Sequence, residues 1–156
     1  MRRLWMAAGL LAAALSAGAV AAEETAAPAK CRLQVVHALP TDGGVDEKIK
    51  PLEERLRRPP FREWKTFRLL TEEERELRPT SSTEYQLPEG RKAELLFAER
   101  ATVPTGKPQI RGSLKIEGPR SAARTMFSLD EGGVLLVAGH RHQGGILIYS
   151  LSCRVQ

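Results

Sequence analysis

Cys31-Arg-Leu-Gln-Val-Val-His-Ala-Leu39 and Ile146-Leu-Ile-Tyr-Ser-Leu-Ser-Cys153 hold the only two cysteines of this chain and decide how it folds. Both stretches alternate in the manner of β-strands. Leu33, Val35, His37 and Leu39 fall on the face of Cys31. Leu147, Tyr149 and Leu151 fall on the face of Cys153. Suppose the two strands lie antiparallel with the cysteines opposed. Leu33 then meets Leu151, Val35 meets Tyr149 and His37 meets Leu147. A slip of one residue would turn one apolar face away from the other, so the pattern itself specifies the register. The expectation is a Cys31–Cys153 disulfide joining the first and last strands of one domain. Neither cysteine has the C-x-x-C spacing of a redox or zinc motif.

The chain ahead of Cys31 supports an oxidised state. Residues 1–22 read as a secretory signal peptide. Arg2 and Arg3 form a charged start, residues 4–20 are uncharged and apolar, and Ala-Val-Ala-Ala at 19–22 ends in the small residues of a cleavage site before Glu23. Such a chain is delivered to the periplasm or outside the cell, where paired cysteines in a small domain oxidise. After processing no stable membrane span is expected. Residues 23–30 (EETAAPAK) read as a flexible polar linker. Residues 31–156 then form a single β-rich domain, long enough to bury a core. The formal charge is +5 for the whole chain and falls to +3 without Arg2 and Arg3. Charges of both signs are interspersed, which describes a solvated surface better than a nucleic-acid footprint.

Between the cysteines the chain is mainly β. Residues 46–58 carry one short amphipathic helix, with Ile49, Leu52 and Leu56 on its apolar side, Asp46 as N-cap and Pro59-Pro60 as its stop. Pro51 fits only the first turn of a regular helix. Residues 64–70 read as a strand, although a helix with Phe61, Trp64 and Arg68 on one face fits the same residues. Residues 71–78 suit an exposed helical turn or an edge strand, and residues 79–83 a loop. Strands follow at 84–87, 92–99, 109–117, 125–129, 134–138 and 146–151. Asp130-Glu-Gly-Gly133 reads as a hairpin turn between the strands on either side of it, and residues 140–145 as a glycine-flanked loop. The fold class expected is an antiparallel β-sandwich or open barrel.

Chemistry is sparse. No G-x-S-x-G, S-x-x-K or P-loop pattern is present, and an oxidised Cys31 cannot act as a nucleophile. His140 and His142, two apart, would project to one face of a strand and share a metal ion, with His37 as a third ligand from the neighbouring strand. An exposed turn with two polar histidines is the plainer alternative. No cofactor is expected.

Val36-His-Ala-Leu-Pro40, Pro59-Pro-Phe61, Trp64-Lys-Thr-Phe-Arg-Leu-Leu70, Leu87-Pro-Glu-Gly-Arg91 and the closing Gly144 to Cys153 stretch together resemble a group of small exported bacterial proteins of uncharacterised function. The likeness spans most of the chain after the signal and departs from the group at Glu47, where Pro is common. It implies a β-rich exported domain and supplies no catalytic residues. The expected function is a non-enzymatic exported binding or structural module of the cell envelope, with a protein or envelope component as partner and no nucleic acid. The alternatives are a metal-binding protein using His140 and His142 with His37, and a small secreted hydrolase or inhibitor.

Overall fold

The computed structural model describes residues 27–102 and 104–156. The signal-peptide reading of residues 1–22 lies outside them. Among the described residues nine strands form two sheets, and one 3₁₀-plus-α segment packs on the first of them. The strands are β1 (Ala29–Leu39), β2 (Gly44–Val45), β3 (Thr66–Leu77), β4 (Ser81–Gln86), β5 (Lys92–Thr102), β6 (Pro108–Glu117), β7 (Ala122–Asp130), β8 (Val134–His142) and β9 (Gly145–Val155). The first sheet has the order β2-β3-β1-β9-β8 and the second β4-β5-β6-β7. The architecture is the β-sandwich or open barrel that the strand pattern implies.

β1 and β9 lie at the centre. They pair antiparallel with Cys31 opposite Cys153, Leu33 opposite Leu151, Val35 opposite Tyr149 and His37 opposite Leu147. The register read from the apolar pattern is the register observed, and the two sulfurs are bonded. The side chains on this face enter the core between the sheets, where Leu33, Val35, Tyr149 and Leu151 meet Leu95, Phe97 and Leu114 of the second sheet. Tyr85 on β4 crosses that core, and its hydroxyl donates to the Cys31 carbonyl at 2.9 Å.

The other face of β1 is buried too. Val36 and Ala38 pack with Phe67 and Ile148 beneath Ile49, Leu52, Leu56 and Phe61. The helical segment therefore caps the first sheet, and Ile49, Leu52 and Leu56 are its buried side as the periodicity requires. Its form is altered by Pro51, which has no N–H to donate. Glu47–Leu52 is 3₁₀, and only Glu53–Leu56 (α1) is α-helical. The Asp46 carboxylate accepts from the Lys48 N–H at 3.1 Å, as an N-cap does.

Several boundaries and one pairing differ from the sequence reading. β1 begins at Ala29, inside the stretch whose composition suggests a linker, because Ala29 is buried between Leu77 and Val155. Residues 66–77 form one continuous strand, β3. It pairs with β1 on one side and leaves most of its other side as an edge, and its run of Glu and Arg discourages pairing with another chain. The loop at 79–83 shrinks to a turn at Pro79 and Thr80, with β4 starting at Ser81.

The difference in pairing matters most. β7 and β8 flank the Asp130-Glu-Gly-Gly133 turn but do not pair as a hairpin. β7 pairs with β6 and β8 with β9, so the chain turns a corner from one sheet to the other. The reason lies in where the turn's amides go. The Glu131 N–H donates to the Pro108 carbonyl of the second sheet at 3.2 Å, and the Gly132 N–H to the Cys153 carbonyl of the first at 3.3 Å. The turn is fastened to both sheets at once.

The disulfide closes a sequence separation of 122 residues. A loop of that length constrains the unfolded chain, which the entropic account values at about 5 kcal/mol. The double variant Cys31→Ser/Cys153→Ser should keep its β-sheet circular dichroism and lose about 3–5 kcal/mol in urea unfolding. An unchanged unfolding midpoint would contradict this.

Candidate functional site

The corner at residues 130–134 sets two strands on diverging courses. The inward side of β7 runs Leu129, Phe127, Thr125, Ala123. Leu129 and Phe127 are buried in the core, Thr125 is half-buried and Ala123 is exposed. The inward side of β8 runs Leu135, Val137, Gly139. Leu135 and Val137 pack on the core, and Gly139 has no side chain. Both inward faces thus taper from large to small as they leave the corner. Strands that neither pair nor fill the space between them leave a cleft. Its volume is about 610 Å³, within the range of small-molecule sites. Ile116 and Tyr149 border it from within, Ala123 and Val137 from its two sides, and Arg120 and Arg141 stand among its lining residues.

Two residues of this lining are chemically unusual. Gly139 must be glycine: a Cβ there would lie 2.5 Å from the Tyr149 ring and 2.9 Å from the Leu147 carbonyl oxygen. Tyr149 is fully buried, and among the described residues its hydroxyl has no hydrogen-bond partner. Burial pushes that hydroxyl up to about 12, with Arg91 and Glu89 making smaller, opposed contributions. It is therefore a neutral donor near pH 7.

The three histidines lie at the far end of β8. His140 and His142 are strand residues, not members of a loop, because β8 continues through a bulge between Ala138 and Arg141 to His142. Only Gln143 and Gly144 form the turn into β9. Both have positive φ, 41° and 79°, as a tight two-residue hairpin requires. Gly145 follows at a close approach: a Cβ there would stand 1.9 Å from the Ala38 carbonyl oxygen.

The histidines are brought close, as the β1–β9 register implies, but each is engaged by the protein. His37 is buried, and its Nε2–H donates to the His142 carbonyl at 2.9 Å. The His37 and His142 rings meet edge to face at 5.1 Å. His142 Nδ1–H donates to Glu89 at 3.0 Å. His140 Nε2 accepts from the Arg91 guanidinium, which in turn pairs with Glu89 at 2.7 Å. Glu89 reaches its position from a left-handed backbone, φ 64°. Among the described residues no three His, Cys, Asp or Glu side chains converge as metal ligands. Desolvation, and next the Arg91 charge, hold His140 below its ordinary 6.5.

No protein-family model, curated protein or solved structure matches this chain. Among the described residues no helix is long and apolar enough to cross a membrane.

The sequence reading singled out the histidines and the cysteines but neither the cleft nor Tyr149, Glu89 and Arg91. The small residues Ala123, Thr125 and Gly139 at inward strand positions are the signal that points to the cleft.

Two outcomes follow. In a pH titration followed by histidine ring NMR, His140 should titrate below 6.5. Its neutral form is the one stabilised by folding, so that contribution is intact above pH 6.5 and lost as pH falls through the lowered value. Arg91→Gln should raise the midpoint without fully restoring it, since desolvation is the larger cause. A midpoint unmoved by Arg91→Gln would refute the contact. Separately, Gly145→Ala should cost on the order of 3 kcal/mol in unfolding free energy, because the obstacle is backbone. A loss under about 0.5 kcal/mol, typical of a neutral surface change, would show that the close approach is not there.

Proposed function

We propose that this chain is a non-enzymatic, exported binding module of the cell envelope, and that it takes its ligand in the cleft between the open edges of its two sheets. The observation that carries the reading is the taper of both inward strand faces away from the 130–134 corner. It forms a concave apolar site on a scaffold whose first and last strands are covalently joined. Export is supported by the disulfide, together with the charged and apolar pattern of residues 1–22. The non-enzymatic reading is supported by the lining. Its titratable side chains are Arg120, Arg141, His140 and Tyr149, with no carboxylate or free thiol among them. The Nε2 atom of His140 is occupied by Arg91, which removes the base that a hydrolase in this cleft would use.

The test has two arms. Protein expressed with its own N-terminus should be recovered from the periplasm or medium, with Cys31 and Cys153 unreactive to maleimide until reduced. Recovery in the cytosol with two reactive thiols would overturn export. In the second arm, ¹⁵N-labelled protein is titrated with envelope extracts. Saturable shifts should appear at residues 116–125 and 137–141 and vanish in Ala123→Trp, a change at an exposed position that fills the cleft. If no extract shifts these residues, the binding reading fails.

A further inference from the structure

The lining of the cleft is divided by chemistry. Ile116, Ala123, Val137 and the Tyr149 ring make an apolar interior. Arg120, in the turn between β6 and β7, and Arg141, on β8, are exposed cations of the same lining, and no carboxylate lines the cleft beside them. Among the described residues neither arginine is in an ion pair, whereas Arg91, which bonds to His140 of the lining, is held by Glu89. An apolar interior with unneutralised guanidinium groups favours a ligand that is apolar along its body and anionic at one end.

Tyr149 is the independent second sign. A buried hydroxyl without a partner destabilises the protein that carries it, since it has given up water and gained nothing. Phenylalanine would fill the same core space without that cost. A donor kept at a cost, beside a cleft, is accounted for by a ligand acceptor that it meets when the cleft is filled.

We propose that the cleft holds a single-chain anionic amphiphile: an acyl chain lies over Ile116 and Val137, and its terminal carboxylate is held by Arg120 and Arg141, with the Tyr149 hydroxyl donating to a ligand oxygen. This rests on the binding-module reading and specifies its ligand class. The free acid in water, not a bilayer, is the occupant, because the cleft is bounded by the core and is about 610 Å³.

The experiment is calorimetric titration of the processed, oxidised protein with decanoate below its micellar concentration. Decyl maltoside and decyltrimethylammonium serve as uncharged and cationic partners of the same chain length. Phosphatidylglycerol vesicles form a fourth arm. Decanoate should bind saturably and perturb the amides of residues 116–125 and 137–141. Its affinity should fall as salt is raised. Arg120→Gln/Arg141→Gln, both at exposed positions, should weaken binding about tenfold. Tyr149→Phe should weaken it severalfold while raising the thermal midpoint of the unliganded protein, a pairing that a merely structural tyrosine would not produce.

Equal affinity for decyl maltoside, or preference for the cationic chain, would overturn the charge assignment. Binding to vesicles without binding to decanoate would overturn the free-acid assignment. A Tyr149→Phe protein that is less stable and binds unchanged would remove the hydroxyl from the site. If envelope extract shifts the cleft residues and decanoate does not, the ligand class is wrong while the binding module stands.

Discussion

The structure depends on the antiparallel contact of the first and last strands. β1 and β9 are buried on both faces, share the core between the sheets on one side and the cap formed by Ile49, Leu52 and Leu56 on the other, and are locked by Cys31–Cys153. A one-residue slip would break the disulfide, reverse both apolar faces and unseat the turn amide of Gly132 from Cys153. Several features that look separate are thus consequences of one register. The histidines meet because His37 sits opposite Leu147, close to the end of β8. The corner at residues 130–134 is fixed because its amides bond to strands of both sheets, one of them the Cys153 strand.

The corner converts this rigidity into a site. Sheets joined at a corner have edges that diverge, and an edge strand usually needs cover or charge. On the β3–β4 side the edges are drawn together by Tyr85 reaching the Cys31 carbonyl and by the Gln86 N–H donating to Glu73. On the β7–β8 side the inward residues shrink instead, and the two edges stay apart. The open side of the barrel follows from side-chain size. Ala123 stands where a closed barrel would place a larger residue, and at Gly139 the Tyr149 ring already fills the place of a side chain.

Much of the scaffold was legible in the sequence, because alternation, two cysteines and one amphipathic segment each pointed to the same arrangement. The cleft was not, and the reason is specific. Asp-Glu-Gly-Gly encodes a turn, but local sequence does not state whether the flanking strands pair with each other or with distant ones. Glycine misled in a second way. Gly139, Gly144 and Gly145 around His140-Arg-His142 read as a loop. Only Gly144 serves a turn, while Gly139 and Gly145 give room to Tyr149 and to the Ala38 carbonyl. The partners of the histidines, Glu89 and Arg91, lie about fifty residues away in sequence, and only the folded sheets bring them near.

The central claim is that β7 and β8, though joined by a tight turn, are the unpaired edges of two sheets held in place by the β1–β9 register. Nuclear Overhauser contacts between strand backbones test it directly. Cross-strand contacts should link Leu33 with Leu151 and Val35 with Tyr149, while none should link Ala123 or Thr125 with Val137, Gly139 or Arg141. A ladder of contacts between β7 and β8 would mean that they form the hairpin after all, and the cleft would not exist.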